Sequence, residues 1–313
     1  MNPAFKSPIA IKQFIPYARV RNLHIVKTST GLFAILQEWA LIIATAYFCE
    51  LYFSWPLYFL CLIIIGARYL ALGLIMHEGV HGLISKNKII NNIAGEVFCA
   101  WPLMISMRSY GVKHLAHHAW LNTDKDPDFN AKTNPNWQYP MKLIKFLKLS
   151  ILQLSGIGVF ETLNVMSGAK VKMKNKEKTP PYYHALRVLF YVLIISAFLA
   201  IDQGILLLLY WIIPFATWTQ FTNRMRRIAE HSGIDGKSSD MQTRTTIHSL
   251  LGRFLLSPRN ISYHNEHHIY PGVPCYNLPE LHKELTRTTE LKDSLHISKS
   301  YKSVFKECVI KPN

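Results

Sequence analysis

The sequence predicts an all-α integral membrane protein. Three observations carry that expectation: four apolar segments of spanning length, their grouping in two closely spaced pairs, and a basic excess that is missing from the connection within each pair. Of 313 residues, 50% are hydrophobic and 12% aromatic. A helix needs about 20 predominantly apolar residues to cross a bilayer. Residues 32–53, 56–76, 185–200 and 205–221 meet or approach that length. Ser54-Trp55-Pro56 joins the first pair and Ile201-Asp202-Gln203-Gly204 the second, so each pair reads as a helical hairpin. Four such spans are hard to bury in the core of a soluble chain of this size.

Charge orients the spans. Lys and Arg exceed Asp and Glu by 35 − 19 = 16. Lys6, Lys12, Arg19, Arg21 and Lys27 precede the first span. The middle segment holds Lys86, Lys88, Arg108, Lys113 and a basic run over 170–178, and Arg224, Arg226 and Arg227 follow the fourth span. Neither short connection carries Lys or Arg. The bias of positive charge toward the cytosolic side therefore predicts cytosolic termini and a cytosolic middle segment, with both hairpin tips outside. Topology and anionic headgroups account for the net charge, which excludes a nucleic-acid partner as its explanation.

The remaining segments fit one membrane domain over 1–313, with inserts at 77–184 and 222–313. The basic N-terminal residues, interrupted by Pro3, Pro8 and Pro16, do not read as a signal peptide. Cys49, Cys61, Cys99, Cys275 and Cys308 are scattered and form neither a metal-type pair nor a disulfide framework. Residues 143–165 are apolar but broken by Lys145, Lys148, Ser155, Gly156 and Gly158, which suits an interfacial helix better than a fifth span. Residues 91–107 are too short and, with Pro102, too broken to cross. The run 170–178 ahead of Pro180-Pro181 reads as a solvated loop.

Nine of the 14 histidines form a pattern. His77 and His81 are H-x3-H; His114, His117 and His118 are H-x2-H-H, and so are His264, His267 and His268. His231 follows Glu230 beyond the fourth span. Positions i, i+3 and i+4 share one helix face, so each cluster aims two or three imidazoles at a common point. All nine fall where charge predicts the cytosolic side. His24, His184, His248, His282 and His296 lack such company and read as ordinary polar residues. Packing has no use for eight histidines grouped in three clusters, and burying them unpaired is costly. Nine imidazoles exceed the four ligands of a closed zinc site but suit two metal ions with positions left open for oxygen. Imidazole accepts Fe, Cu, Ni or Zn, so ligand type alone does not choose the metal. His77-Glu78-Gly79-Val80-His81 also matches H-E-x-x-H of zinc metalloproteases, with Glu78 as base. That reading leaves the other two clusters without a role.

His77-Glu-Gly-Val-His81-Gly82, His114-Leu-Ala-His117-His118 and His264-Asn-Glu-His267-His268-Ile-Tyr-Pro271 together resemble the three histidine boxes of the membrane fatty acid desaturase superfamily, over roughly residues 31–285. The tail, with Asn277-Leu-Pro-Glu-Leu-His282, looks most like the acyl-lipid branch, and Asp126-Pro127-Asp128-Phe129 is similar to several branches. Glu78 stands where many members have Asp. The resemblance implies two Fe ions, O2 as co-substrate and a lipid or acyl substrate oxidised at an unactivated methylene pair. It also implies His231 as a further ligand. Glu78, Glu230, Glu266, Asp126 and Asp128 become candidates for fixing imidazole tautomers. Electrons would come from a separate ferredoxin or cytochrome b5-like protein docking on the basic cytosolic surface, in the cell inner membrane or endoplasmic reticulum. Box text does not separate desaturation from hydroxylation or ketolation. Arg68, inside the second span, needs a partner there and reads as structural before it reads as a contact for a headgroup or acyl carboxylate.

Overall fold

The computed structural model describes residue 12 and residues 15–121, 123–128, 134–160, 180–234 and 243–310. Four helices are long and apolar enough to cross a membrane: α1 (Thr28–Leu51), α2 (Trp55–Val80), α6 (Pro181–Ala200) and α7 (Gly204–His231). Helices α2, α6 and α7 each contain one expected span, α1 ends two residues short of the expected 32–53, and α7 continues ten residues further than its apolar run, ending on His231. Pro56 and Pro181 occupy first-turn positions, where a missing N–H costs nothing. Helix α6 buries none of its residues, and Phe33, Leu36, Ile43, Tyr47 and Leu199 are each more than 60% exposed. Apolar surface this extensive calls for hydrocarbon around it.

Helix α2 is the most enclosed of the four, buried almost continuously from Ile65 to Gly79. It packs along α1 on one side and α7 on another. A Cβ at Gly66 would lie 2.7 Å from Trp218 Cβ, so this close α2–α7 contact requires glycine. Helix α7 carries two π-turns, Leu208–Ile212 and Phe215–Thr219, on either side of Pro214. Carbonyls disturbed there are taken up by hydroxyls: Thr217 Oγ1 donates to Ile213 O at 2.6 Å, and Thr219 Oγ1 to Pro214 O at 3.0 Å and Gly66 O at 2.9 Å.

Helix α3 (Lys88–Leu103) and helix α4 (Met107–Trp120) meet at a bend of 97°. Asn87 caps the first, accepting from the Ile89 and Ile90 amides. A π-turn over Glu96–Ala100 turns the Glu96 carboxylate toward the start of α4, where it accepts from Met107 N at 3.1 Å and Arg108 N at 3.0 Å. A buried carboxylate on two first-turn amides fixes where α4 begins. The expectation that residues 91–107 do not cross in one run agrees with the bend.

Helix α5 (Leu143–Leu154) buries Phe146, Leu149, Ser150 and Gln153 and exposes Ile144, Leu147 and Ile151. It is shorter than the expected 143–165, whose last five residues lie outside the described set, as do 170–178 and Phe129. The C-terminal region adds α8 (Leu250–Leu255), α9 (His264–Ile269), α10 (Leu278–Leu285), α11 (Thr289–Ser294) and α12 (Tyr301–Cys308). Two short parallel pairings tie it down: β1 (Met141–Lys142) with β4 (Val309–Ile310), and β2 (Thr245–Thr246) with β3 (Ile297–Ser298). Its apolar core gathers Ile269, Val273, Leu278, Leu281 and Leu285. A second cluster joins Phe146, Met225, Ile228 and Val304, seating this region on α5 and the end of α7.

Candidate metal centre

The elements converge where α2 and α7 end. His77 comes from the last turn of α2 and His81 is its C-cap, the second box comes from α4, the third from α9, and His231 is the last residue of α7. All nine patterned histidines fall into two groups. His77, His81, His114, His118 and His267 each offer a nitrogen within 4.8 Å of the others. The second group is built from His117, His231 and His268 and from Glu230, His231 and His264, two triads that share His231.

Each H-x2-H-H box divides between the groups and does not aim at one point as its shared helix face predicts, because the i+3 and i+4 positions lie about 100° apart around the axis. On α4, the i and i+4 residues His114 and His118 face the first group, and His117 faces the second. On α9 the roles are exchanged: His264 and His268 serve the second group and His267 the first. The groups abut, with the His118 and His268 rings stacked 4.2 Å apart.

Nitrogen spacing tests whether a metal fits. His81 Nε2 and His118 Nε2 lie 2.9 and 3.0 Å from His114 Nε2, and His118 Nε2 lies 3.0 Å from His267 Nε2. In the second group His264 Nε2 is 2.9 Å from His231 Nε2 and 3.1 Å from His268 Nε2. Metal–imidazole bonds of about 2.1 Å at right angles would set neighbouring nitrogens about 3.0 Å apart. Hydrogen bonding cannot serve instead. A neutral ring nitrogen has either one proton or one lone pair, yet His114, His118 and His264 each meet two other nitrogens through Nε2. The donor set fits two metal ions.

Burial keeps these rings in the form that binds metal. Desolvation, with repulsion from neighbouring imidazoles, holds His114, His264, His267 and His268 well below the ordinary histidine range. Burial lowers His81 to about 4 and, with His81 and His117 alongside, His118 to about 3.

The carboxylates divide by what they touch. Asp126, 2% exposed, holds His117 Nδ1 through Oδ1 at 2.9 Å and Oδ2 at 3.1 Å, directing Nε2 inward. Asp128 donates its amide to Asp126 Oδ1 at 2.9 Å and is 3.9 Å from His117 Nδ1 and 3.7 Å from Arg227. Glu230 is 3.7 Å from His264 Nε2 and 3.4 Å from Arg226, close enough to be a ligand itself. Glu78 Oε2 accepts from Cys275 N at 2.7 Å, and Oε1 lies 3.8 Å from His77 Nδ1. Glu266 sits beside His267 in sequence but turns to the opposite side of α9. There it receives Thr245 Oγ1 at 2.5 Å and pairs with His282 Nδ1 at 2.5 Å. It pins the helix from behind, as Asn265 does through Thr243 Oγ1 at 2.6 Å and His296 O at 3.0 Å.

Several site residues escape sequence reasoning. Glu96 sets α4, and its only signal is an acid in an apolar stretch. Tyr110 stacks on His114 with ring centroids 5.3 Å apart, one turn ahead of the box. His282 is the partner of Glu266. His248 stacks on Tyr301 at 4.6 Å and His296 bonds Glu307 at 2.9 Å; with His24 and His184 they stay outside both groups. Arg68 is held by Glu38 at 3.2 Å.

Two cavities adjoin the centre, and a third meets the first of them at Tyr69. One of about 120 Å³ lies among Tyr69, Leu103, Ile105 and Phe215 and ends on His77. Tyr69 also lines an apolar cavity of about 430 Å³ between α1, α6 and α7. On the other side a polar cavity of about 270 Å³ meets His117 and His231, bordered by Asp128 and Arg227.

Fold and site thus define a helical membrane protein with a buried histidine centre fitted to metal. The fatty acid desaturase family model matches residues 53–299, and the chain belongs to that family of lipid-metabolising oxidoreductases. Dihydrorhizobitoxine desaturase of Bradyrhizobium elkanii is 27% identical over 263 residues, covering 81% of this chain and 74% of that protein. Chloroplastic omega-6 fatty acid desaturase of Glycine max is 23% identical over 225 residues, 67% of this chain and 51% of that one. Beta-carotene ketolase of a Paracoccus species is 34% identical over 76 residues, 23% and 31% of the two chains.

Proposed function

We propose that the protein is an O2-dependent di-iron oxidase that introduces a double bond into a fatty acyl chain. The observation that carries this reading is the sorting of nine histidines into two abutting nitrogen-lined groups at the end of an apolar cavity. His77, His81, His114, His118 and His267 would hold one iron, and His117, His231, His264 and His268 the other. Bound iron supplies the O2 chemistry that removes two hydrogens from adjacent methylenes. The chain's own residues bind and position. Tyr69, Leu103, Ile105 and Phe215 hold the acyl segment in apolar surroundings against His77, and the larger cavity takes the tail. Asp126 fixes the His117 tautomer, and Glu78 braces α2 against the segment after the third box.

In this reading residues 1–313 are one domain. The helices cross as two hairpins, with the boxes, inserts and termini capping the cytosolic face of the inner membrane or endoplasmic reticulum. A separate ferredoxin or cytochrome b5-like protein supplies electrons there. Hydroxylation or ketolation is the second reading, favoured by the similarity to a ketolase over 76 residues. The protease reading leaves unexplained why His77 and His81 join three further histidines of the other two boxes.

The test is expression in a host lacking desaturation, with mass spectrometry of lipids and pigments. New unsaturated acyl chains are expected, and hydroxylated or oxo products would select the second reading. Purified protein should hold two irons per chain. One zinc and no iron would refute the proposal.

A further inference from the structure

A cavity of about 380 Å³ lies between α1, α2, the α8 turn and the segment 258–260. It belongs to neither the histidine centre nor the apolar path. At about 100° per residue, its α2 lining (Arg68, Ile75, Glu78) falls on the face opposite Leu70, Gly73 and His77, which line the path to the centre. Its size is that of a small-molecule site.

Three guanidinium groups line it: Arg68, Arg253 and Arg259. The acids in the lining are Glu38 and Glu78, so even with both ionised the balance is 3 − 2 = +1. Arg259 Nε donates to Glu38 Oε1 at 2.7 Å, and its Nη2 to Ala34 O at 3.0 Å and Gln37 Oε1 at 3.2 Å. Arg253 reaches Asn260. Arg68 is 4% exposed, with one Nη on Glu38 and the other on Phe254 O, yet its Nε has no hydrogen-bond partner. A buried guanidinium donor left over beside a net positive charge calls for an anion.

Around these charges the lining is apolar, with Phe33, Leu41, Ile75, Leu83 and Phe254. Phe33 is 64% exposed and Leu250, at the tip of α8, 82% exposed. Arg68 stands 13 residues after Trp55, so about 20 Å along α2 from its start, or two-thirds of the way across a hydrocarbon core of about 30 Å. The depth is that of the leaflet on the histidine side, which rests on the topology proposed above.

We propose that this cavity binds an anionic phospholipid of the inner leaflet, its phosphate on the arginines and its acyl portion along Phe33 and Leu41. The lipid bridges α1 and α2 to the segment that leads from α8 to α9, and so steadies the third box without being the chain oxidised.

The test uses the full-length protein in detergent, with native mass spectrometry after titration with phosphatidylglycerol, phosphatidylcholine or inorganic phosphate. Arg253→Gln removes one cation, and Gln37→Glu adds a charge at an exposed lining position with no change of shape; neither touches the buried Arg68–Glu38 pair. One phosphatidylglycerol per chain is expected to bind saturably and raise the melting temperature. Both variants should bind it roughly tenfold more weakly, Arg253→Gln by losing one charge-assisted contact and Gln37→Glu by adding a negative charge that pairs with Arg259 and repels the phosphate. Equal affinity in the variants, equal retention of phosphatidylcholine, or no lipid bound to wild type would overturn the site. Displacement of the lipid by phosphate alone would make it a free-anion site and overturn the lipid assignment. Iron content of the same samples tests the oxidase reading separately: lipid binding without iron sinks only the oxidase, and iron without lipid binding sinks only this site.

Discussion

Replacing Asp126 by Asn isolates the charge behind one ligand while keeping its shape. The carboxylate is 2% exposed and meets His117 Nδ1 through both oxygens, at 2.9 and 3.1 Å. In Asp126→Asn the oxygen bound by the Asp128 amide can stay in place, but an NH2 then faces a ring N–H at the other position. One charged contact is lost and a donor meets a donor. A buried hydrogen bond to a charged group contributes about 1.5–3 kcal/mol. That corresponds to about 10- to 150-fold in metal affinity at the second group, in line with the 10–100-fold usual for partners of metal-bound histidine. The first group, which His117 does not join, should keep its affinity. Iron per chain, measured by elemental analysis after dialysis against graded chelator, should fall from two to about one in the variant before wild type loses any. If both irons leave wild type and variant at the same chelator concentration, Asp126 does not orient His117 and the tautomer argument fails.

His231→Ala should abolish activity and lower iron content, whereas His248→Ala, whose ring stacks on Tyr301 outside both groups, should change neither. Full activity in the His231 variant would remove it from the site. Single cysteines at Ser54 and Gln203 in a cysteine-free background should react with an impermeant thiol reagent from outside sealed cells, and one at Lys302 should not; labelling at Lys302 would place the centre on the wrong side for a cytosolic donor. The metal-free protein should lose stability on acidification. Folded His81 and His118 hold off protons down to about 4 and 3, while the unfolded chain takes them up near 6.5. Stability from these groups is therefore full above about pH 7 and falls as pH drops through 6.5 toward 4. A melting temperature unchanged between pH 7 and 5 would refute this.

Much of this was legible in the sequence because it is local. Apolar runs report spans, and helical spacing picks out the clustered imidazoles, though not how each box divides between the two groups. What the sequence hid depends on partners far along the chain. Arg68 needed Glu38, 30 residues earlier, and Glu38 in turn meets Arg259, 221 residues on. Adjacency to a ligand also misleads. A residue next to a box histidine is rotated by about 100° around the helix, so Glu266 ends up behind α9 with His282, a histidine that looked ordinary on its own. Glu96 shows the same limit, since its bond to the start of α4 exists only once the chain bends by 97°.

The crossed allocation of histidines on α4 and α9 means that moving either helix disturbs both groups together. Each helix serves both groups, so the spacing between two bound metals would be inherited from helical pitch rather than from loops. One inserted residue between His114 and His117 would misalign both groups together. The centre should then fill and empty as a unit when the helices themselves move, and lose ions singly only when the damage is confined to one side chain.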